Sequence, residues 1–200
     1  MNPPDLGATP RWPDVPAVYG WLSLDRRGRW RLRGDPVTHC GALAFFNRQY
    51  GCDEGGAWFV QNGPQRVFAA LDYTPWIVRL SGAGSDALLA HTGEAIVCVE
   101  EAWIDEAGNL LLATERGVAL LDDRDLPAML ERLCDAAGAE PSETALLALL
   151  DPSTPRHAPE EHSNSLFLAW NGTRLPLAGI RRADVPARFG FVAQPGPLTE

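Results

Sequence analysis

The fold is decided by Trp21-Leu22-Ser23-Leu24-Asp25-Arg26-Arg27-Gly28-Arg29-Trp30-Arg31-Leu32-Arg33, in which apolar and polar side chains alternate around a turn that contains glycine. Residues 57–71 repeat this pattern around the turn Gln61-Asn62-Gly63-Pro64. Side chains that alternate with period two point to opposite faces of a strand, and glycine-containing turns join antiparallel neighbours. The pattern therefore predicts antiparallel hairpins, each with one buried face, between residues 19 and 71.

Further strands and a few short helices are predicted along the rest of the chain. Strands are expected at residues 76–80, 88–91, 95–104, 110–114 and 118–121, and a last hairpin is expected at 166–180 around Asn171-Gly172. A first helix is expected to open at Asp35-Pro36 and to run through Thr38 to about Tyr50. Two more helices are expected from residue 125 to 137, before Gly138, and from 142 to 150.

These elements favour an α+β fold, antiparallel β-hairpin-rich and two-lobed, with repeated β motifs and a few short helices. The repeat is suggested by a loose echo of residues 69–75 at residues 119–127 and 178–186. We divide the chain into a loosely ordered lead-in (1–16), a first β-rich lobe with one helix (17–80), a second β-rich lobe ending in a helix (81–138), and a C-terminal helix plus β-hairpin extension (139–200).

Composition and charge disfavour two classes of partner. The formal net charge is −9, and such a surface repels nucleic acid and anionic membranes. No basic and apolar leader opens the sequence and no apolar run is long enough to span a bilayer, so we expect a cytoplasmic protein.

The cysteines lack paired spacing, which predicts reduced thiols that behave mostly as small buried apolar residues; they are Cys40, Cys52, Cys98 and Cys134.

Short motifs follow one another in a fixed order over residues 20–80. They are Gly28-Arg29-Trp30, Gly34-Asp35-Pro36-Val37, Ala44-Phe45-Phe46, Phe59-Val60 with Pro64-Gln65-Arg66, and Asp72-Tyr73-Thr74-Pro75-Trp76. In order and spacing they resemble an uncharacterised, mainly proteobacterial family of domains of unknown function with the pattern D-G-x-W-x-x-x-G-x-P-I, L-x-x-L-F, L-V-T-P-V-E-K and D-x-P-F. The resemblance extends more faintly to residue 138. It implies a two-lobed α+β fold of repeated β-rich motifs and a signalling or regulatory role. This chain departs from the pattern at Thr38 and at Gln65-Arg66, where the family has Arg and Glu-Lys.

Two motifs suggest chemistry that their surroundings do not support. Residues 82–87 fit G-x-G-x-x-A and Glu100 follows at about the distance of a ribose-binding acid, but residues 88–91 are too few for the crossover helix that a dinucleotide site needs. A hairpin turn is the better interpretation. His157 and His162 are five residues apart with Pro159 between them, so a solvated loop is favoured over a zinc site.

The strongest candidate for binding is a cluster of arginines. Arg29, Arg31 and Arg33 are predicted to share one strand face, and Arg26 and Arg27 add positive charge in the turn before them. Guanidinium groups recognise phosphate and carboxylate well. An alternative interpretation needs no ligand: the arginines lie on a solvent-exposed strand face, where their charges discourage another strand from pairing with the edge of the sheet. The candidate ligand-binding residues are Arg27, Arg29, Arg31, Arg33 and Arg66.

Our leading hypothesis is a non-catalytic regulatory or signalling module that binds a small anionic ligand or an acidic protein partner. We predict no cofactor, no metal, no nucleic acid and no membrane partner, and the oligomeric state stays open. One alternative is an enzyme that uses Cys40 or the acidic cluster near Glu100 and Glu101. Another is a structural protein–protein interaction module. The tryptophans are expected to pack in the core, but in this alternative some of them line a groove.

Overall fold

The computed structural model describes residues 15–82, 87–151 and 165–197. The first sheet holds six strands in the order β3-β2-β1-β6-β5-β4. Their bounds are Ala17–Leu24 (β1), Trp30–Leu32 (β2), Asp35–Pro36 (β3), Tyr50–Cys52 (β4), Trp58–Asn62 (β5) and Gln65–Leu71 (β6). Helix α1, Cys40–Gln49, lies between β3 and β4 in the chain.

The second sheet holds nine strands in the order β13-β14-β15-β10-β11-β12-β7-β8-β9. Their bounds are Trp76–Leu80 (β7), Leu88–Ala90 (β8), Ala95–Ile96 (β9), Val99–Asp105 (β10), Leu110–Thr114 (β11), Gly117–Leu121 (β12), Leu133–Asp135 (β13), Leu166–Trp170 (β14) and Thr173–Ile180 (β15). Its helices are Leu126–Leu130 (α2), Glu143–Leu150 (α3) and Val185–Phe189 (α4). The described chain is thus mainly β with a few short helices.

Both sheets are mixed, which refines the predicted antiparallel fold. The predicted hairpins β1–β2, β5–β6 and β14–β15 are antiparallel. The predicted strands β10, β11 and β12 also pair as antiparallel neighbours. Three other neighbours are parallel: β1 with β6, β7 with β12, and β10 with β15. Period-two alternation reports only which face a side chain occupies, so it cannot distinguish a parallel partner from an antiparallel one.

One type of turn occurs four times in the described chain, at Asp25, Asp53, Asp105 and Asp135. In each, the aspartate Oδ1 accepts the backbone N–H of the residue four positions later, at 2.8–2.9 Å. A glycine three positions after the aspartate takes a positive φ between 71° and 85° and donates its N–H to the aspartate carbonyl. Glycine adopts this left-handed conformation without the strain of a Cβ atom. The sequence pattern D-x-x-G-x is therefore the structural repeat of the fold.

The core lies on both faces of the second sheet. On β11, Leu111 packs towards the first sheet, whereas Leu110 and Leu112 pack with Met129 of α2 in the cluster on the opposite face. Strands β7 and β12 alternate in the same way. Strands buried on both faces read as continuous apolar runs. The protein is therefore built in layers, with the first sheet on one side of the second and the helices α2 and α3 on the other.

Two predicted helices differ from the structure. Pro36 pairs with Arg31 in β3, and α1 begins only at Cys40, where the His39 side chain accepts the N–H of Ala42 as an N-cap. The helix predicted over residues 125–137 ends at Leu130, and the chain then forms β13. Tertiary pairing with β14 overrides the helical spacing there, and Gly138 belongs to the recurring turn.

The cysteines also differ from the prediction, because three of the four thiols, Cys40, Cys52 and Cys98, are exposed and only Cys134 is buried. All four are free. Within the described ranges, no helix has the length and apolar character that crossing a bilayer requires.

Candidate functional site

An open cleft of about 390 Å³ lies where strands of the two sheets end. Asp25 follows β1 and Asp72 follows β6, and because these strands are parallel, their carboxyl ends meet at one edge. The loop after β12 and the recurring turn after β10 complete the cleft. The cleft is lined by Asp25, Arg26, Arg27, Arg29, Arg31, Asp72, Asn109, Leu120, Leu121 and Asp123.

Asp25 is buried and organises the arginines of the first turn. Its Oδ1 accepts the backbone N–H groups of Arg27 and Arg29, each at 2.9 Å. Its Oδ2 accepts Nε of Arg29 at 2.8 Å and Nη2 of Arg31 at 3.3 Å. Burial by itself would raise the pKa of Asp25, but these hydrogen bonds outweigh it and hold the pKa below its usual value. Asp25 is therefore an anion that holds two guanidinium groups at the rim of the cleft.

The ion pairs leave donors of the same arginines unused. Arg29 donates only its Nε within the described chain, and its side chain is 59% exposed. Arg27 donates Nη2 to Asp123 at 2.8 Å, and both side chains of this pair are exposed. A guanidinium has five N–H donors, so each of these groups can bind a second anion while its first partner keeps it in place.

Arg26 is half-buried and has no carboxylate within ion-pair distance among the residues that the structure describes. Its Nη2 donates to Oδ1 of Asn109, and its guanidinium lies 5.6 Å from the centre of the Tyr73 ring. Asn109 is in turn fixed by Asp105, whose two carboxylate oxygens accept its Nδ2 at 2.9 and 2.7 Å. Arg26 is therefore a positioned cation whose charge is not neutralised by a neighbouring acid.

Asp105 is fully buried and connects the two sheets beneath Arg26. It accepts the hydroxyl of Tyr73 at 2.8 Å, in addition to Asn109 and two backbone N–H groups of its own turn. Burial, with the hydrogen bond to Asp105, raises the pKa of Tyr73 far above its usual value, so its hydroxyl remains a donor. Through Asn109, which lines the cleft, this network holds the side chain to which Arg26 donates.

The five predicted binding residues divide into two groups. Arg27, Arg29 and Arg31 line the cleft together. Arg33 lies in the turn after β2 with a φ of 53°, and its guanidinium stacks 4.6 Å from the Trp21 ring. Arg66 lies on β6, with its guanidinium 4.8 Å from the Phe59 ring. The expectation that Arg33 shares a strand face with Arg29 and Arg31 is wrong, because the strand ends at Leu32 and the backbone turns.

The residues of the enzyme alternative lie apart from this cleft. Cys40 is the exposed first residue of α1, and the neighbouring His39 uses its Nδ1 to accept the N–H of Ala42 at 3.3 Å. Glu101 accepts Nε1 of Trp103 at 3.1 Å and pairs with Arg188 at 3.5 Å. Glu100 is exposed. Within the described residues, neither Cys40 nor Glu101 is hydrogen-bonded to a histidine or to another carboxylate.

Three other sequence predictions concern metals and nucleotides. Among residues 15–82, 87–151 and 165–197, no group of three or more His, Cys, Asp or Glu side chains could hold a metal ion. The central residues of the G-x-G-x-x-A motif, 83–86, lie outside the described residues, as do His157 and His162.

His91 lies directly behind the first turn of the cleft. Its Nδ1 accepts the N–H of Ile77 at 3.4 Å, and its buried Nε2 has no hydrogen-bond partner among the residues that the structure describes. Aromatic rings surround it at 5.6–5.7 Å between centroids; they belong to Trp30, Tyr50 and Trp76. Burial lowers the pKa of His91 to about 4, so the imidazole is neutral at pH 7. A Cβ atom added to Gly28 would lie 2.4 Å from the His91 Cβ atom, so the turn rests on this side chain.

The chain belongs to a family of proteins of unknown function: the family described as "Protein of unknown function (DUF2946)" matches residues 6–196. The resemblance to a family of unknown function is thus confirmed. No curated protein matches the chain.

Two solved structures are similar to this fold. A DUF1285 family protein from Silicibacter pomeroyi has a TM-score of 0.52 at 16% identity, with 81% of each chain covered. A second DUF1285 family protein, from Shewanella baltica, has a TM-score of 0.44 at 13% identity, covering 56% of this chain and 91% of that one. At these identities, the first likeness concerns the fold alone.

Sequence reasoning missed Asn109, Asp72 and Asp123 as parts of the cleft. A signal for Asn109 was present, because Asp105-Glu106-Ala107-Gly108-Asn109 repeats the D-x-x-G-x pattern of Asp25-Arg26-Arg27-Gly28-Arg29. Equivalent turns in a repeat fold tend to occupy equivalent places. No local pattern predicts Asp72 and Asp123, which reach the cleft only through the parallel pairing of distant strands.

Proposed function

We propose that the protein is a non-catalytic regulatory module that binds a small anionic ligand in the cleft between the Asp25 and Asp105 turns. The observation that carries the proposal is Arg26, a half-buried guanidinium without a carboxylate partner in the described chain, facing a cleft that three further arginines line. Such a cation gains more from an incoming anion than a guanidinium that is already neutralised.

The charge of the protein makes this local concentration of arginines more significant. The whole chain carries a formal charge of −9, whereas the cleft is lined by four arginines against three aspartates. A phosphate or carboxylate approaching most of the surface is repelled, and at the cleft it is attracted over a distance of about one Debye length, ~8–10 Å at physiological salt.

The volume of the cleft fits a small molecule better than a peptide. At about 390 Å³, it lies at the lower end of the range of ligand pockets, about 300–1,000 Å³. Its apolar floor is limited to Leu120 and Leu121, so ionic contacts dominate recognition. A phosphate ester of a few carbon atoms is the type of ligand that we expect.

Thermal denaturation with a panel of anions tests the proposal. Inorganic phosphate, short phosphate esters and nucleotides are added to the full chain, with an acidic peptide as the alternative partner. At a ligand concentration of 100 Kd, binding stabilises the fold by about 2.7 kcal/mol, which for a chain of this size raises Tm by about 5–10 °C.

The structure supplies a matched pair of variants for this experiment. The double substitution Arg29→Ser/Arg31→Ser removes two cleft guanidiniums, whereas Arg33→Ser/Arg66→Ser removes two that lie elsewhere, with the same change in net charge. We expect the Tm shift to disappear in the first variant and to persist in the second, each measured against its own ligand-free Tm. The proposal is wrong if no anion shifts Tm or if the two variants respond alike.

The competing functions are less well supported by the geometry. The acidic peptide in the panel represents a protein partner, and a shift of Tm with the peptide alone would favour the interaction module.

The cytoplasmic location predicted from the sequence remains a prediction.

A further inference from the structure

The cleft contains one carboxylate whose charge is not paired. Asp72 is exposed and lines the cleft, and among the described residues no arginine or histidine nitrogen lies within 4 Å of its carboxylate. The other two aspartates of the cleft differ in this respect. Asp25 pairs with Arg29 and Arg31, and Asp123 pairs with Arg27.

The backbone of Asp72 is fixed, although its carboxylate has no ion-pair partner in the part of the chain that the structure describes. Its N–H donates to the Leu24 carbonyl at 3.0 Å, which joins the ends of β1 and β6. Its carbonyl accepts Nη2 of Arg182 at 2.9 Å, and the Arg182 guanidinium lies 4.8 Å from the ring of the adjacent Tyr73. The carboxylate is therefore presented to the cleft from an anchored position.

Arg26 and Asp72 are thus the two charged side chains of the cleft lining that lack an ion-pair partner within the described chain, and they do not pair with each other. Opposite charges near a protein surface gain little by forming an exposed ion pair, about 0–1 kcal/mol, so both remain available to a ligand. A ligand with only an anionic group would satisfy Arg26 and would be repelled by Asp72. A ligand with an anionic and a cationic group would satisfy both.

We propose that the ligand of this cleft is dipolar, with a phosphate or carboxylate group at Arg26 and Arg29 and an ammonium group at Asp72. This inference rests on the proposed function of the cleft as an anion site and specifies the chemical class of its ligand. It also explains why a site for anions retains a carboxylate that lacks an arginine partner.

Two probes that differ only in the second charge test the inference. Ethyl phosphate carries the anion alone, and phosphoethanolamine adds an ammonium group to the same carbon skeleton. We expect phosphoethanolamine to bind the full chain about threefold to fivefold more tightly in isothermal titration calorimetry, which is the upper part of the range that an exposed charge pair contributes.

The variant Asp72→Asn should remove this difference, because it deletes the charge and keeps the shape of the side chain. Ethyl phosphate should then bind at least as tightly as it does to the unchanged chain. Glu54→Gln, an exposed acid in the recurring turn between β4 and β5, removes the same charge outside the cleft and should leave the preference intact. Because the Asp72 side chain has no partner in the described chain, its replacement should not lower Tm.

The outcomes separate this inference from the proposed function. If ethyl phosphate binds equally well or better, and Arg29→Ser/Arg31→Ser abolishes its binding, the anion site stands and the dipolar ligand is refuted. If the preference for phosphoethanolamine survives Asp72→Asn, the assignment of the ammonium group to Asp72 is wrong. If neither probe binds while another anion of the panel raises Tm, the anion site stands and the dipolar ligand is refuted. If no anion of the panel binds either, both proposals fail.

Discussion

Lowering the pH from 6.5 towards 4 should destabilise this protein through one side chain that aromatic rings enclose, His91. The imidazole is enclosed by Trp30, Tyr50 and Trp76, and within the described chain no hydrogen-bond acceptor lies near its Nε2 to stabilise a proton there. Burial lowers the pKa of His91 from 6.5 to about 4. In the unfolded chain the same imidazole has its ordinary pKa, near 6.5.

The sign and the size of the effect follow from this difference. Between pH 6.5 and pH 4 the unfolded chain binds a proton at His91 that the folded chain does not bind, so the free energy of unfolding rises with pH. The contribution of His91 is complete above pH 6.5 and is lost as the pH falls to about 4. One pKa unit corresponds to about 1.4 kcal/mol, so the total loss is about 3 kcal/mol, with a maximum slope of about 1.4 kcal/mol per pH unit.

Urea denaturation at intervals between pH 7.5 and 4.5 measures this slope. The variant His91→Phe keeps a ring among the aromatic side chains and removes the titrating group, so its free energy of unfolding should depend less on pH in this interval. His39→Asn is the matched control, because His39 lies exposed at the N-cap of α1 and Asn can also cap a helix. It should keep the slope of the unchanged chain.

Equal slopes in His91→Phe and in the unchanged chain would refute the assignment. A slope that disappears in His39→Asn instead would place the titrating histidine at the helix end.

Three further substitutions have defined outcomes. In urea denaturation, Gly28→Ala should lower the free energy of unfolding by about 1–3 kcal/mol more than Gly108→Ala, because both glycines have a positive φ in the recurring turn but only a Cβ at Gly28 meets His91. Equal losses of stability in the two variants would mean that the turn moves away from His91. Asp25→Asn should lower the free energy of unfolding by about 1.5–3 kcal/mol at pH 7, because the ion pairs with Arg29 and Arg31 are lost. The amide oxygen can still accept the N–H groups of the turn, so an unchanged free energy of unfolding would show that these hydrogen bonds alone provide the stability. Hydrogen bonds from Arg124 lower the pKa of Asp122 from 3.8 to about 2, so the contribution of Asp122 to stability is present above pH 3.8 and is lost as the pH falls towards 2. In Asp122→Asn the free energy of unfolding should therefore fall less steeply with pH below pH 4. An equally steep fall in that variant would contradict this.

Local sequence predicts the hairpins of this fold well because their determinants lie within a few residues. At Asn171-Gly172 both residues take positive φ values, 47° and 73°, which only a few residue types adopt readily, and the hairpin follows as predicted. Strand β11, Leu110–Thr114, also forms with the predicted bounds. Such features depend on the turn and on side-chain alternation, both of which are local.

Features that depend on distant pairing could not be predicted in this way. The parallel contact of β1 with β6 joins residues more than forty positions apart, and it alone brings Asp25 and Asp72 to one edge. Residues 131–137 continue a helical apolar spacing, yet pairing with β14 makes part of them a strand. The arginine cluster could be recognised in the sequence. Which of its members line the cleft depends on the tertiary structure: Arg33 lies outside because β2 ends at Leu32, and Arg66 lies outside because it is on β6.

The most direct test of the anion site is an NMR titration that observes arginine side chains. The Nε–Hε resonances of the full chain are followed while ethyl phosphate is added at constant ionic strength, with Arg33 and Arg66 as internal references. We expect saturable shifts that are confined to the arginines of the cleft, with the largest at Arg26 and Arg29. Shifts of equal size at Arg33 and Arg66, or no saturable shift at any arginine, would contradict a specific site.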